Sequence, residues 1–311
     1  MGMDHLNKAE GFNREHNWPQ SLRYSDLAAT KLKQLKDRPI EAISVALNYK
    51  CAALGFLGQK REQLECAKEW YCLWNTKPTD VGAICAAFEL IQSCLHNKLY
   101  ADAHLYASTL YEIINHKHDN KIPDNQRQLY IAEGSYFLAQ STIRLAIDGG
   151  IPPEKKQKAG QEVIALARRA LEIHTQLFGT ERDTVANNMI VLAEALDYFN
   201  RHDDDEEVIH LFEQAKTIHS RFYGSSTANV AVVESKLGTM FYNRAARAHR
   251  EHDLDRCVAN LELALPRSRE AVRIYHAINH IDGAEMAALD VSAAEQLRRD
   301  IEKREKHQGL R

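Results

Sequence analysis

The segment Leu166–Gly179 (LARRALEIHTQLFG) returns in degenerate form as Leu211–Gly224 (LFEQAKTIHSRFYG), so that Ala170/Ala215, Ile173/Ile218, His174/His219 and Gly179/Gly224 each lie 45 residues apart. A helix-length segment repeated at a fixed period is half of a supersecondary unit that cannot bury its apolar face alone, and stacked neighbours supply the cover. The chain is therefore confined to an array of paired helices, which presents an extended surface to other proteins in place of a deep catalytic centre. At 311 residues a single compact core would be near its size limit, whereas an array adds core unit by unit.

Apolar residues recur at three- and four-residue spacing throughout, without sustained two-residue alternation, and only 14 glycines and 7 prolines interrupt them. The spacing predicts an all-α chain of twelve helices, over about 21–36, 39–57, 60–75, 79–97, 100–116, 125–147, 154–177, 182–200, 205–222, 226–251, 254–278 and 282–305. Pro39 suits a first helical turn; Pro78 and Pro123 precede the capping residues Thr79 and Asp124; Gly179 and Gly224 sit where a left-handed helix cap costs glycine little. Asp148–Pro153 reads as a loop inside one helix pair. The matching apolar positions Leu73, Ile113, Ile173, Ile218 and Ile274 are 40, 60, 45 and 56 residues apart, so the period is irregular. The expected organisation is a flexible N-terminus over 1–20, one helical-repeat domain over 21–305 with its best repeats at 160–245, and a tail at 306–311. The domain closes on a charged capping helix whose few apolar residues are Leu297 and Ile301.

A 44% hydrophobic, 27% charged composition with net charge −3 and no basic run excludes nucleic acid as the primary ligand. No window approaches a membrane span, and Asp4, Lys8, Glu10, Arg14 and Glu15 stand where a signal peptide needs apolar residues, so no membrane partner is expected. Six cysteines without a Cys-x-x-Cys pair, five of them in predicted helices between 51 and 94, read as buried free thiols of a reducing, cytoplasmic compartment.

Sites for chemistry are sparse. His276, His280 and Asp282 have spacing that could seat a divalent metal, but no further ligand is apparent, so no metal is expected. The recurring His174 and His219 read as interhelical or exposed hydrogen-bonding positions, and the acidic run His202–Glu207 as a helix start that complements the dipole. Asp148–Gly150 lacks the Gly-Lys-Ser/Thr of a phosphate loop, and no Gly-x-Ser-x-Gly elbow occurs. Trp70 and Trp74, one turn apart, read as packing residues. No catalytic residue or cofactor is expected.

Val185-Ala186, Leu192-Ala193, Val208, Ala215, Ile218 and Gly224, followed by Val230-Ala231 and Leu237-Gly238, resemble tetratricopeptide repeats of the kinesin-light-chain type. The resemblance is good over 160–245 and weaker over 40–115. It implies a right-handed α-α superhelix, a tetratricopeptide-like solenoid of about five irregular helix pairs. In such repeats Ala193, Gly238 and Ala215 allow close helix approach, and Leu192, Leu196, Leu237 and Phe241 are core. First helices line the concave face, which places Ile190, Glu194, Asp197, Ser235, Thr239, Tyr242 and Asn243 on the partner groove, with Tyr242 and Asn243 foremost. The family's groove Asn-Asn pair is replaced by Ile190-Val191 and Ser235-Lys236, and Asn187 and Asn188 are displaced around the helix. The resemblance implies a noncatalytic scaffold that binds a partner peptide or helix. The alternative is a regulatory or structural module of a larger protein, used for intramolecular packing or self-assembly.

Overall fold

The structure is a computed structural model that describes residues 2–74, 77, 79–116, 123–199 and 206–307, with the side chains of all of these but 116 and 304–307. Thirteen helices and no strands are present among the described residues. They are α1 (Gly2–Arg14), α2 (Trp18–Lys33), α3 (Ile40–Phe56), α4 (Lys60–Leu73), α5 (Val81–His96), α6 (Tyr100–His116) and α7 (Asp124–Ile147), then α8 (Pro153–Phe178), α9 (Asp183–Phe199), α10 (Glu206–Tyr223), α11 (Ala228–Arg250), α12 (Leu254–Ala277) and α13 (Ile281–His307). The last twelve match the helices read from sequence, with ends displaced by at most three residues. Pro78 and most of the run His202–Glu207 lie outside the described residues; Glu206 and Glu207 open α10.

The segment 1–20 departs from the expected flexible N-terminus, because Gly2–Arg14 is the helix α1 and packs on α2 and α3. Leu6 and Ala9 are its buried stripe, and Phe12 stacks on Tyr24 of α2 at 5.4 Å. So short a stripe inside a charged stretch carries little periodic signal. His16 turns the chain at φ 56°, and the Asn17 side chain accepts from Gln20 N–H to start α2.

The chain divides into two compact units, Met1–Ile173 and His174–Arg311. In the first, each helix from α1 to α7 packs on the next, and further packing joins α1 to α3, α3 to α5 and α5 to α7. Odd-numbered helices thus form one closely spaced layer. Trp70 and Trp74 hold α4 on α3: both indole N–H groups donate to Ser44 Oγ, at 2.6 and 3.2 Å. Gly82 of α5 lies flat against Trp74, where a Cβ would meet the indole at 2.2 Å.

In the second unit α9 to α13 pack in sequence and α11 also packs on α13. Leu192, Leu196, Leu237 and Phe241 are all core. The small residue of the repeat does what its position implies: a Cβ on Gly238 would meet Ser268 of α12 at Oγ (2.2 Å) and backbone N (3.0 Å). Glu234, 8% exposed, accepts from Lys216 (3.3 Å) and Arg267 (3.2 Å), and both cations also pair with Glu213. This balanced quartet joins α10, α11 and α12, and its compensation is what lets a carboxylate sit in the core. Gly179 (φ 79°) and Gly224 (φ 91°) end α8 and α10 in the left-handed region as anticipated.

Candidate partner-binding faces

The positions nominated on α9 and α11 do not form one open surface. Ile190 is buried at 7% exposure, one of a run of buried residues that extends along α9 from Val185 to Leu196. Glu194 pairs with Lys236, joining α9 to α11. Thr239 Oγ1 lies 2.8 Å from Asp290 Oδ2 and 2.9 Å from the Ser235 carbonyl. Burial raises the Asp290 carboxyl and the Thr239 bond opposes that rise. Tyr242 is half-buried against a cluster that includes Val291, Leu297 and Ile301 of α13. Asn243 is exposed, and Asp197 and Ser235 are half-buried. The C-terminal helix therefore engages Thr239 and Tyr242 of the set. Leu297 and Ile301 are spent on this packing.

A second face on the odd layer of the first unit has the chemistry that sequence sought at Tyr242 and Asn243. α5 shows Val81, Cys85, Phe88 and Gln92 along one stripe; α7 shows Glu133, Phe137, Gln140 and Arg144 along another. Because α5 packs directly on α7, Phe88 stacks on Phe137 at 5.5 Å and approaches Tyr130 at 6.4 Å; Tyr136 meets Phe137 edge-on. Gln126 Nε2 donates to Tyr130 OH at 2.7 Å, and burial raises that phenol above its ordinary range. Aromatic rings beside exposed or half-exposed amides offer an incoming chain both packing and backbone hydrogen bonds. Sequence reading missed this face because its aromatics fall on the helical spacing of core residues and because the repeat signal is strongest elsewhere.

The remaining chemical candidates have structural employment. His174 and His219 are both buried, the interhelical and not the exposed of the two positions expected; Asn188 Nδ2 bridges His174 Nδ1 (2.8 Å) and the Thr184 carbonyl (2.7 Å). At the equivalent place 45 residues on stands Val233, and His219 Nδ1 is buried without a hydrogen-bond partner, its pKa lowered by burial. His280 Nδ1 accepts from Gly283 N–H at 3.0 Å and caps α13. Among the described residues no group of three or more His, Cys, Asp or Glu could hold a metal ion. Cys51, Cys66, Cys94 and Cys257 are buried free thiols as expected, whereas Cys85 is half-buried and Cys72 is exposed. No helix among the described residues is long and apolar enough to cross a membrane.

No family model and no curated protein matches the chain. Among solved structures, the apo form of RapI is similar over 97% of this chain and 99% of its own, at TM-score 0.54 and 13% identity. A Podosopora anserina protein described as a kinesin light chain with nearly identical TPR-like repeats is similar over 71% of this chain and 95% of its own (TM-score 0.49, 13% identity). BtubC (BKLC) from P. vanneervenii is similar over 78% of this chain and 92% of its own (TM-score 0.43, 17% identity). At such identity the likeness speaks for fold alone, and the fold is that of an all-α, TPR-like helical-repeat protein.

Proposed function

We propose that the chain is a noncatalytic, cytoplasmic interaction scaffold that holds an extended segment or helix of a partner protein, and that the odd-helix face of the first unit is its principal contact surface. The observation that carries this reading is the Phe88–Phe137 stack at 5.5 Å, with exposed Gln92 and half-exposed Gln140 each about one turn further along the same two helices. Stacked rings give an apolar anchor, and the flanking amides can pair with a peptide backbone. The face formed by Glu194, Asp197, Ser235 and Asn243 is the secondary candidate, since α13 already engages Thr239 and Tyr242.

Selection of peptides from a displayed random library on the full chain tests the proposal. Gln92→Arg combined with Gln140→Arg alters side chains at the surface and leaves the core packing in place. Selected peptides should lose about tenfold or more in affinity for this variant and keep it for Asn243→Ala, with both proteins matching the wild-type circular dichroism. Binding that ignores the glutamine pair and is lost in Asn243→Ala would move the site to α9 and α11. A library that yields no binder would count against the scaffold reading itself.

A further inference from the structure

α13 packs on α12 and α11 as an odd-numbered helix should, but no described helix packs on its opposite side. That side is an exposed stripe: Ile281, Glu285, Ala288, Ser292, Gln296 and Arg299, at helical steps of 4, 3, 4, 4 and 3 residues. Leu289 lies beside it at 64% exposure and Ile281 within it at 70%. Where α11 offers Gly238 to the close approach of α12, α13 offers Ala288 and Ser292 to solvent.

The stripe is symmetric about Ser292, with Ala288 and Gln296 four residues to either side and Glu285 and Arg299 seven. Its chemistry is antisymmetric, apolar and acidic toward the N-terminus and polar and basic toward the C-terminus. We infer that α13 is a self-association surface, on which a second copy of this chain docks its own α13 antiparallel across a twofold axis at Ser292. In that arrangement Glu285 faces the partner's Arg299 and the reverse holds at the other end. The two ion pairs stand about 21 Å apart along the helix. The small side chains of Ala288 and Ser292 let the backbones approach, and Ile281 and Leu289 lose their solvent exposure. The present neighbours of Arg299, Gln296 at 3.0 Å and Glu295 at 4.0 Å, are on its own helix and leave it 54% exposed.

A cavity of about 250 Å³ opens at the acidic end of the stripe, lined by Tyr275, His276, Asn279 and Glu285 among others. It lies where an antiparallel mate delivers a guanidinium, with an aromatic wall and a carboxylate at its edge. One helix pair makes a small interface, so the dimer is weak, concentration-dependent and sensitive to salt.

Sedimentation of the full chain from about 1 to about 500 µM at low salt reads the equilibrium directly. Ser292→Arg places a large cation on the axis and should weaken the dimer by about tenfold or more. Glu285→Arg and Arg299→Glu should each do the same, whereas the double variant should return to within about threefold of wild type. All three changes are at exposed positions, so an unchanged circular dichroism spectrum separates lost association from lost folding. A chain that stays monomeric throughout, a dimer indifferent to Ser292→Arg, or a double charge swap no better than the single changes would each overturn the inference.

Discussion

Gly238→Ala tests whether the repeat signature is a packing requirement. Alanine normally stabilises a helix interior relative to glycine by about 1 kcal/mol, because the glycine backbone loses more freedom on folding. At position 238 the new methyl carbon would sit 2.2 Å from Ser268 Oγ, 3.0 Å from its backbone N and 3.3 Å from its Cα. Rotating the serine relieves the first contact only. The second belongs to the α12 backbone, so α11 and α12 must separate by a few tenths of an ångström along a buried seam. Overpacking of this kind costs about 1–3 kcal/mol. Gly11 supplies the reference, since it also lies inside a helix and a Cβ there meets nothing within 4 Å. Gly11→Ala should therefore raise stability by about 0.5–1 kcal/mol, and the difference between the two substitutions isolates a packing cost of about 1–3 kcal/mol. Urea unfolding followed by far-ultraviolet circular dichroism senses both units; Trp18, Trp70 and Trp74 all lie in the first, so tryptophan fluorescence reports that unit alone. Ser268→Ala in the Gly238→Ala background should recover part of the loss and not all of it. If Gly238→Ala stabilised the protein as Gly11→Ala does, the close approach of α11 and α12 would be refuted.

Ser44→Ala removes the one hydroxyl that accepts from both Trp70 and Trp74, and should cost about 2–5 kcal/mol because two buried indole donors lose their partner; Ser44→Thr, which keeps an acceptor, should cost clearly less in fluorescence-detected unfolding. Burial lowers the pKa of His219, so the folded state resists protonation more than the unfolded chain does. Its contribution is complete above the ordinary histidine pKa of about 6.5 and is lost as pH falls from there through the depressed folded value, at up to about 1.4 kcal/mol per pH unit. His219→Phe should accordingly lose less stability than wild type between pH 7.5 and 5.5 by about 1 kcal/mol, and equal slopes would exclude His219 as a contributor.

Helix positions were legible because they depend on local spacing. Twelve segments with apolar residues at three- and four-residue intervals became α2 to α13, and the turns that use Gly179 and Gly224 were visible as well. Turns at His16, Lys98, His252 and Asn279 are also left-handed, at φ 54–62°, yet no glycine marks them. α1 was missed for a related reason: Leu6, Ala9 and Phe12 supply one short stripe amid charge, and what orders it is tertiary cover from α2 and α3.

The candidate surface was less legible because exposure belongs to neighbouring helices and not to the residue's own. Ile190 has the register of a groove position and is nevertheless buried; Tyr242 has the register too and is taken by α13. The same logic explains the degeneracy of the 45-residue repeat. His174 and His219 recur as shapes in equivalent packing sites, but the amide of Asn188 that satisfies the first becomes Val233 beside the second. Burial of an imidazole's volume is repeated along the array, whereas its polar partner is negotiated repeat by repeat. A face for another protein is subject to that second kind of variation. The proposed contact face at Phe88, Gln92, Phe137 and Gln140 accordingly lies where partly exposed aromatic and amide groups stand together, away from the strongest repeat motif.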